Sequence, residues 1–240
     1  MFLELLVLGL ASLVAGVVNA AFSTGGVFVM VAATTSVLPL TVAVPLQGIL
    51  SLGSVLTRIW LFRAHLFWPV ILFFIPGGAI GTYFGVQIFV TLDERMIATA
   101  MGLVLLAILW IPPASFRLVA GRPFFFIGAG HGFLGTLFGI GTLLQPMILW
   151  TDLKKLQITG TLALCLFSLD LFKTVGYIVY GFDYSAYLAH IGIATIAGIV
   201  GVIIGKRITH LISETQFRFI LKWLITAVAL RLLAKGLFFG

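Results

Sequence analysis

The sequence predicts an all-α polytopic membrane protein built from two inverted repeats, each a re-entrant helical hairpin followed by three transmembrane helices. Three observations lead there. The chain is apolar almost throughout, it resembles itself at a fixed offset, and its basic residues fall on one side only when each repeat opens with a hairpin. Of its 240 residues 61% are hydrophobic and 9% charged, with a mean hydropathy of +1.23. Stretches 70–90, 96–111, 156–169 and 186–205 are apolar on every face, and a bilayer crossing takes about 20 such residues. Charged or proline-bearing gaps near 62–65, 92–95, 111–122 and 206–214 are too short for a soluble domain.

The first repeat is expected over 1–111, with a hairpin at 2–37 and helices at 39–62, 66–90 and 93–111. A connecting loop, 112–121, leads to the second repeat, 122–240, with a hairpin at 122–151 and helices at 156–180, 185–205 and 213–235. The hairpin at 2–37 contains Val18-Asn19-Ala20, which resembles a signal-peptidase site, but Glu4 and the lack of a basic leader argue for mature protein. Each hairpin is broken by glycines inside an apolar run: Phe22-Ser-Thr-Gly25-Gly26 in the first, Phe138-Gly-Ile-Gly141-Thr142 in the second. The third element of each half carries a GxxGxxxG frame, Gly78, Gly81 and Gly85 matching Gly198, Gly201 and Gly205. Such frames let helices approach closely. Thr91-Leu-Asp-Glu94 and Ser213-Glu-Thr-Gln216 read as capping boxes that start the last helix of each half.

Orientation follows from the basic residues. If each broken stretch crossed the membrane, Arg58, Arg63, Arg117, Arg122 and Lys235 would face Arg95, Lys154, Lys155, Lys206 and Arg207, five against five. If each dips in and returns, Arg58, Arg63, Arg117, Arg122, Lys154, Lys155, Lys206 and Arg207 share one side and only Arg95 and Lys235 lie opposite. Three true crossings per half then make the halves antiparallel, as in many secondary transporters. Irregular backbone at membrane depth is tolerated only where protein or a wet cavity surrounds it, so the two tips are expected to meet around a polar site.

Helix N-termini at such tips favour anions. The expected binding residues are Asn19, Ser23, Thr24, Gly25 and Gly26 at the first tip and Gly139, Gly141, Thr142 and Gln145 at the second, together with Gln47 beside Pro45. Glycines and hydroxyls also serve plain helix packing; their matched placement favours binding. For Gln47, a ligand and the backbone freed by Pro45 are equally good partners. Charged groups within the membrane are functional suspects. Asp170 and Lys173 share a helix face and can form a structural pair or serve the transport path. Arg58, the counterpart of Lys173, is expected to snorkel or to guard an entrance with it. His131 is read as a hydrogen-bonding residue able to titrate near neutral pH. The sequence carries no His/Cys ligand cluster, HExxH or GxxxxGK[ST], so no metal, cofactor or nucleotide is expected. The charge of +7, from 14 basic and 7 acidic residues scattered at segment ends, sets orientation rather than binding nucleic acid. Cys165 stands alone and excludes a disulfide framework.

Two halves that each open with a glycine break and later carry GxxGxxxG resemble the sulfite exporter TauE/SafE family, from about Ala15 to Leu233. The segment Gly139-Ile-Gly141-Thr-Leu-Leu-Gln-Pro146 is similar to the family's glycine cluster followed by proline; the first half lacks that proline, and Thr142 stands where more glycine is usual. The resemblance implies a secondary-active carrier, an exporter, of small sulfur-containing anions such as sulfite, thiosulfate or organosulfonates, in a prokaryotic inner membrane. It also implies a driving proton or sodium ion, or the membrane potential, and leaves homo-oligomerisation open. An anion channel, a membrane-embedded enzyme and a small scaffold are the alternatives. The enzyme is disfavoured by the lack of a nucleophile or acid/base pair.

Overall fold

A computed structural model describes residues 2–22, 25–110, 118–139, 141, 143–149, 151–208 and 214–238. The described residues form α-helices joined by short turns: α1 (Phe2–Phe22), α2 (Gly26–Val37), α3 (Leu40–Leu50), α4 (Leu52–Phe62), α5 (Trp68–Phe89), α6 (Glu94–Trp110), α7 (Pro123–Phe138), α8 (Leu144–Leu149), α9 (Lys155–Val179), α10 (Leu188–Ile208) and α11 (Glu214–Phe238). Five stretches are long and apolar enough to cross a membrane: Phe2–Phe22, Leu40–His65, Trp68–Phe89, Leu156–Val179 and Ser185–Arg207. By contrast α2, with 12 residues, rises about 18 Å, little more than half of a hydrocarbon core about 30 Å thick. The protein is a multi-pass membrane protein, and rows of large apolar side chains face outward, such as Leu3, Leu6, Leu10 and Val14 on α1 and Ile193, Ile196, Val200 and Ile203 on α10.

Glycine decides which helices touch. On the inner faces of α1 and α10, Gly16 meets the Gly198 carbonyl, Gly201 the Leu13 carbonyl and Gly205 the Val17 carbonyl. On α7 and α5 the same relations recur: Gly132 meets the Gly78 carbonyl, Gly81 the Ala129 carbonyl and Gly85 the Phe133 carbonyl. A side chain at any of these positions would hold the backbones apart, which is why the frames carry none. Both pairs run parallel. Glu4 pairs with His190 and Val17 lies by Gly205 along α1 and α10; Phe125 lies by Gly77 and Phe133 by Gly85 along α7 and α5.

The remaining contacts fix the other directions. Gly160 packs on Phe62 while Asp170 packs on Gly48, so α9 runs antiparallel to α3 and α4. Gly78 packs on Leu169 and Gly176 on Val86, so α5 and α9 run parallel. Tyr184 donates to the Pro45 carbonyl and Gly53 meets the Thr195 carbonyl, so α10 follows α3 and α4. Finally α6 and α11 form an antiparallel pair, with Gly236 against Arg95 and Thr99, Gly102 against Ala229 and Leu233, and Lys222 Nζ 3.8 Å from the Trp110 ring centre.

Two local details differ from the sequence expectation. The helix expected over 39–62 is interrupted at Ser51, which separates α3 from α4. The cap of α6 is Asp93, whose Oδ1 accepts the Met96 N–H at 2.7 Å, and not Thr91, whose hydroxyl donates to the Ile88 carbonyl. Glu94 is thereby free for tertiary work: its Oε1 accepts the Leu40 N–H at 2.9 Å and Lys235 Nζ at 2.8 Å, tying α6 to the start of α3 and to the end of α11. The second expected box, beginning at Ser213, lies outside the described residues.

Candidate functional site

Both glycine breaks turn the chain through left-handed backbone, Gly25 at φ 102° and Gly139 at φ 67°. Only glycine takes such angles without steric cost. Each tip is then fastened by the helix that precedes it. Asn19 Oδ1 accepts the Gly26 N–H at 3.0 Å, at the start of α2, and His131 Nδ1 accepts the Leu144 N–H at 3.0 Å, at the start of α8. These bonds satisfy donors that a helix start otherwise leaves open. The fit is tight. A Cβ on Gly26 would overlap the Asn19 amide and the Ala15 carbonyl, and one on Gly141 would fall on the His131 ring.

The tips converge on one cavity of about 70 Å³, where roughly 10–15 Å³ on the same measure holds one water. It suits a solute of a few heavy atoms. From the first tip it is lined by Asn19, Gly25, Gly26 and Val27, from the second by His131, Gly139, Gly141 and Gln145, and from between them by Gln47, Arg58, Asp170 and Lys173. Of the residues expected at the site, Ser23, Thr24 and Thr142 lie outside the described residues; every other one lines this cavity.

The polar groups differ in how far they are already committed. Gln47, 4% exposed, bridges to α2: its Nε2 donates to the Val27 carbonyl at 3.4 Å and its Oε1 accepts the Thr34 hydroxyl at 3.3 Å. The backbone around Pro45 is not its partner. His131 Nδ1, as an acceptor, carries no proton, so the ring is neutral and its remaining N–H is on Nε2, the atom beside Gly141. Asp170 is held at both oxygens, Oδ1 by Lys173 Nζ at 2.8 Å and Oδ2 by the Ser51 hydroxyl at 2.9 Å. Gln145 Oε1 is buried without a partner.

Arg58 departs most from expectation. It does not snorkel. Its side chain is 1% exposed, the largest fully buried one described, and its Nε and Nη1 have no hydrogen-bond partner. The sequence placed it near a membrane face because it ends an apolar run; its helix carries it inward, with Ser54 and Val55 one turn before it on the same cavity wall. Ser12, Ser51 and Ser54 also line the cavity and were not expected there. Serines in small-residue helix faces are read as packing, and only tertiary contact separates the two roles.

A multi-pass helical bundle whose broken helices enclose a buried, charged cavity of solute size belongs to the class of membrane permeases. The chain belongs to the sulfite exporter TauE/SafE family, which it matches over residues 8–232. That family consists of permeases rather than enzymes. Neither a curated protein nor a solved structure matched the chain.

Proposed function

We propose that this protein is a secondary-active exporter of small sulfur-containing anions, such as sulfite, thiosulfate or organosulfonates, in a prokaryotic inner membrane, and that the cavity between the two tips is its binding site. The observation that carries the reading is Arg58, a buried guanidinium with two unpartnered nitrogens on the wall of a cavity lined by both glycine tips. A buried cation whose neighbouring carboxylate, Asp170, is already held by Lys173 and Ser51 is costly, and charged groups at membrane depth mark substrate paths. An anion supplies what is missing. Export suits an anion where the cell interior is negative, since one negative charge moving outward gains about 2.3 kcal/mol per 100 mV.

The proposed mechanism is alternating access between two inverted repeats. Supporting it, α1 runs with α10 and α10 with α3 and α4, whereas α7 runs with α5 and α5 with α9, the helix antiparallel to α3 and α4. Equivalent helices α1 and α7 therefore point in opposite directions, and each packs on the long glycine helix of the other half. Aromatic belts fit the same orientation: exposed Trp60 and Trp68 flank the turn holding Arg63, and Trp110 packs on Trp223 and Lys222. All would lie on the basic, inner side.

Counterflow into proteoliposomes with sulfite, sulfate, thiosulfate, taurine and sulfoacetate, with and without a pH gradient, tests the function. Saturable exchange of at least one anion is expected, lost in Gly26→Leu and Gly141→Leu while membrane insertion persists. Undiminished exchange in both variants would sink the site assignment, and flux that never saturates would point to a channel.

A further inference from the structure

We infer that the cavity is electrically matched to a monovalent oxyanion, so that Asp170 sets the charge of the anion carried. This rests on the assignment of the cavity as the anion site. Among the described residues three full charges line the cavity: Arg58, Lys173 and Asp170. Lys173 and Asp170 neutralise each other at 2.8 Å, with Ser51 holding the second carboxylate oxygen at 2.9 Å. His131 is neutral by virtue of the Leu144 N–H that its Nδ1 accepts. The first tip contributes the Asn19 amide and the second the Gln145 amide, both uncharged. One positive charge is in excess, because Arg58 and Lys173 share the single carboxylate of Asp170.

The unpartnered Nε and Nη1 of Arg58 lie on different edges of the guanidinium, so a single oxyanion approaches at one edge, where a charged N–H donor suits a carboxylate-like or sulfonate-like oxygen. With one monoanion bound, the buried charges sum to zero. A dianion would leave a net negative charge in the same buried enclosure, which low-dielectric surroundings disfavour. A sulfonate or hydrogensulfite is thus preferred over sulfate or thiosulfate. The carboxylate of Asp170 acts as a fixed internal anion that already occupies the second positive site.

The charge count is testable by substitution, because it predicts selectivity from a sum and not from any one contact. The wild-type sum is +1. Asp170→Asn raises it to +2, and the double variant Asp170→Asn with Lys173→Gln restores +1. In counterflow with radiolabelled methanesulfonate and sulfate, the wild type is expected to prefer methanesulfonate by at least tenfold in kcat/KM. Asp170→Asn shifts that ratio at least tenfold toward sulfate, and the double variant returns it to the wild-type value even though both members of the ion pair are gone. A wild-type preference for sulfate, or one ratio shared by all three proteins, overturns the charge match while leaving the anion site standing. Should Asp170→Asn fail to fold, the double variant decides alone: a ratio moved away from wild type refutes the inference. Loss of exchange of every anion in the wild type refutes the site reading itself and the match with it.

Discussion

Gly132 lies so close to Gly78 that a methyl group on the first would sit 2.5 Å from the carbonyl oxygen of the second, and Gly16 stands to Gly198 in the same relation at 2.6 Å. In the proposed inverted repeats the two contacts occupy corresponding places. Each should therefore be equally intolerant of bulk. Gly132→Val and Gly16→Val are expected to destabilise the protein by similar amounts, about 1–3 kcal/mol each for overpacking. Thermal unfolding in detergent, followed by loss of the monodisperse peak, measures both. A large loss in one and none in the other would mean the packing of the halves is not equivalent.

His131 is expected to act as a structural acceptor before it acts on any solute. His131→Leu strands the Leu144 N–H, at a cost of about 1–3 kcal/mol. An amide oxygen can occupy much the same place as Nδ1, so His131→Asn should recover most of the stability. Comparing the two melting temperatures separates the hydrogen bond from the volume of the ring.

Glu94 offers a second acceptor test, far from the cavity. Its Oε1 serves both the Leu40 N–H and Lys235. Glu94→Gln keeps an acceptor for the backbone and loses only a half-exposed ion pair, so its effect should stay below about 1 kcal/mol. Glu94→Ala removes both and should cost measurably more. Equal melting temperatures for the two variants would show that the Leu40 bond contributes nothing.

The proposed inverted arrangement predicts sidedness. In a Cys165→Ala background, single cysteines at Arg122, Lys154 and Lys206, all exposed, should react with an impermeant maleimide from the inner face only. Cysteines at Arg95 and Asp183, also on the surface of the described structure, should react from outside. Labelling of Arg122 and Lys154 from different faces would mean that 122–151 crosses the membrane, and the inverted relation would fail.

Much of the candidate site could be read from the order of residues alone. Gly25 and Gly139 were conspicuous because glycine in an apolar run breaks a helix, and each adopts the left-handed backbone that such a break needs. Asn19, Gln47, Gln145 and the Asp170–Lys173 pair were visible as polar residues where hydrocarbon surrounds them. What they touch was not visible. Asn19 and Gln47 both bond the protein itself, the first accepting from Gly26 and the second reaching Val27 and Thr34.

The sequence by itself determined the membrane class, the two glycine breaks and the doubled pattern, because each depends on composition and short-range spacing that act within a single helix. Only the tertiary structure decided that Arg58 is buried rather than turned to a membrane face, and that Ser51 reaches Asp170, 119 positions away. The physical reason is that burial and charge pairing belong to the space between helices. A residue's own neighbours in the chain fix the face on which it lies, but the helices packed against that face fix whether its charge meets lipid, water or a partner.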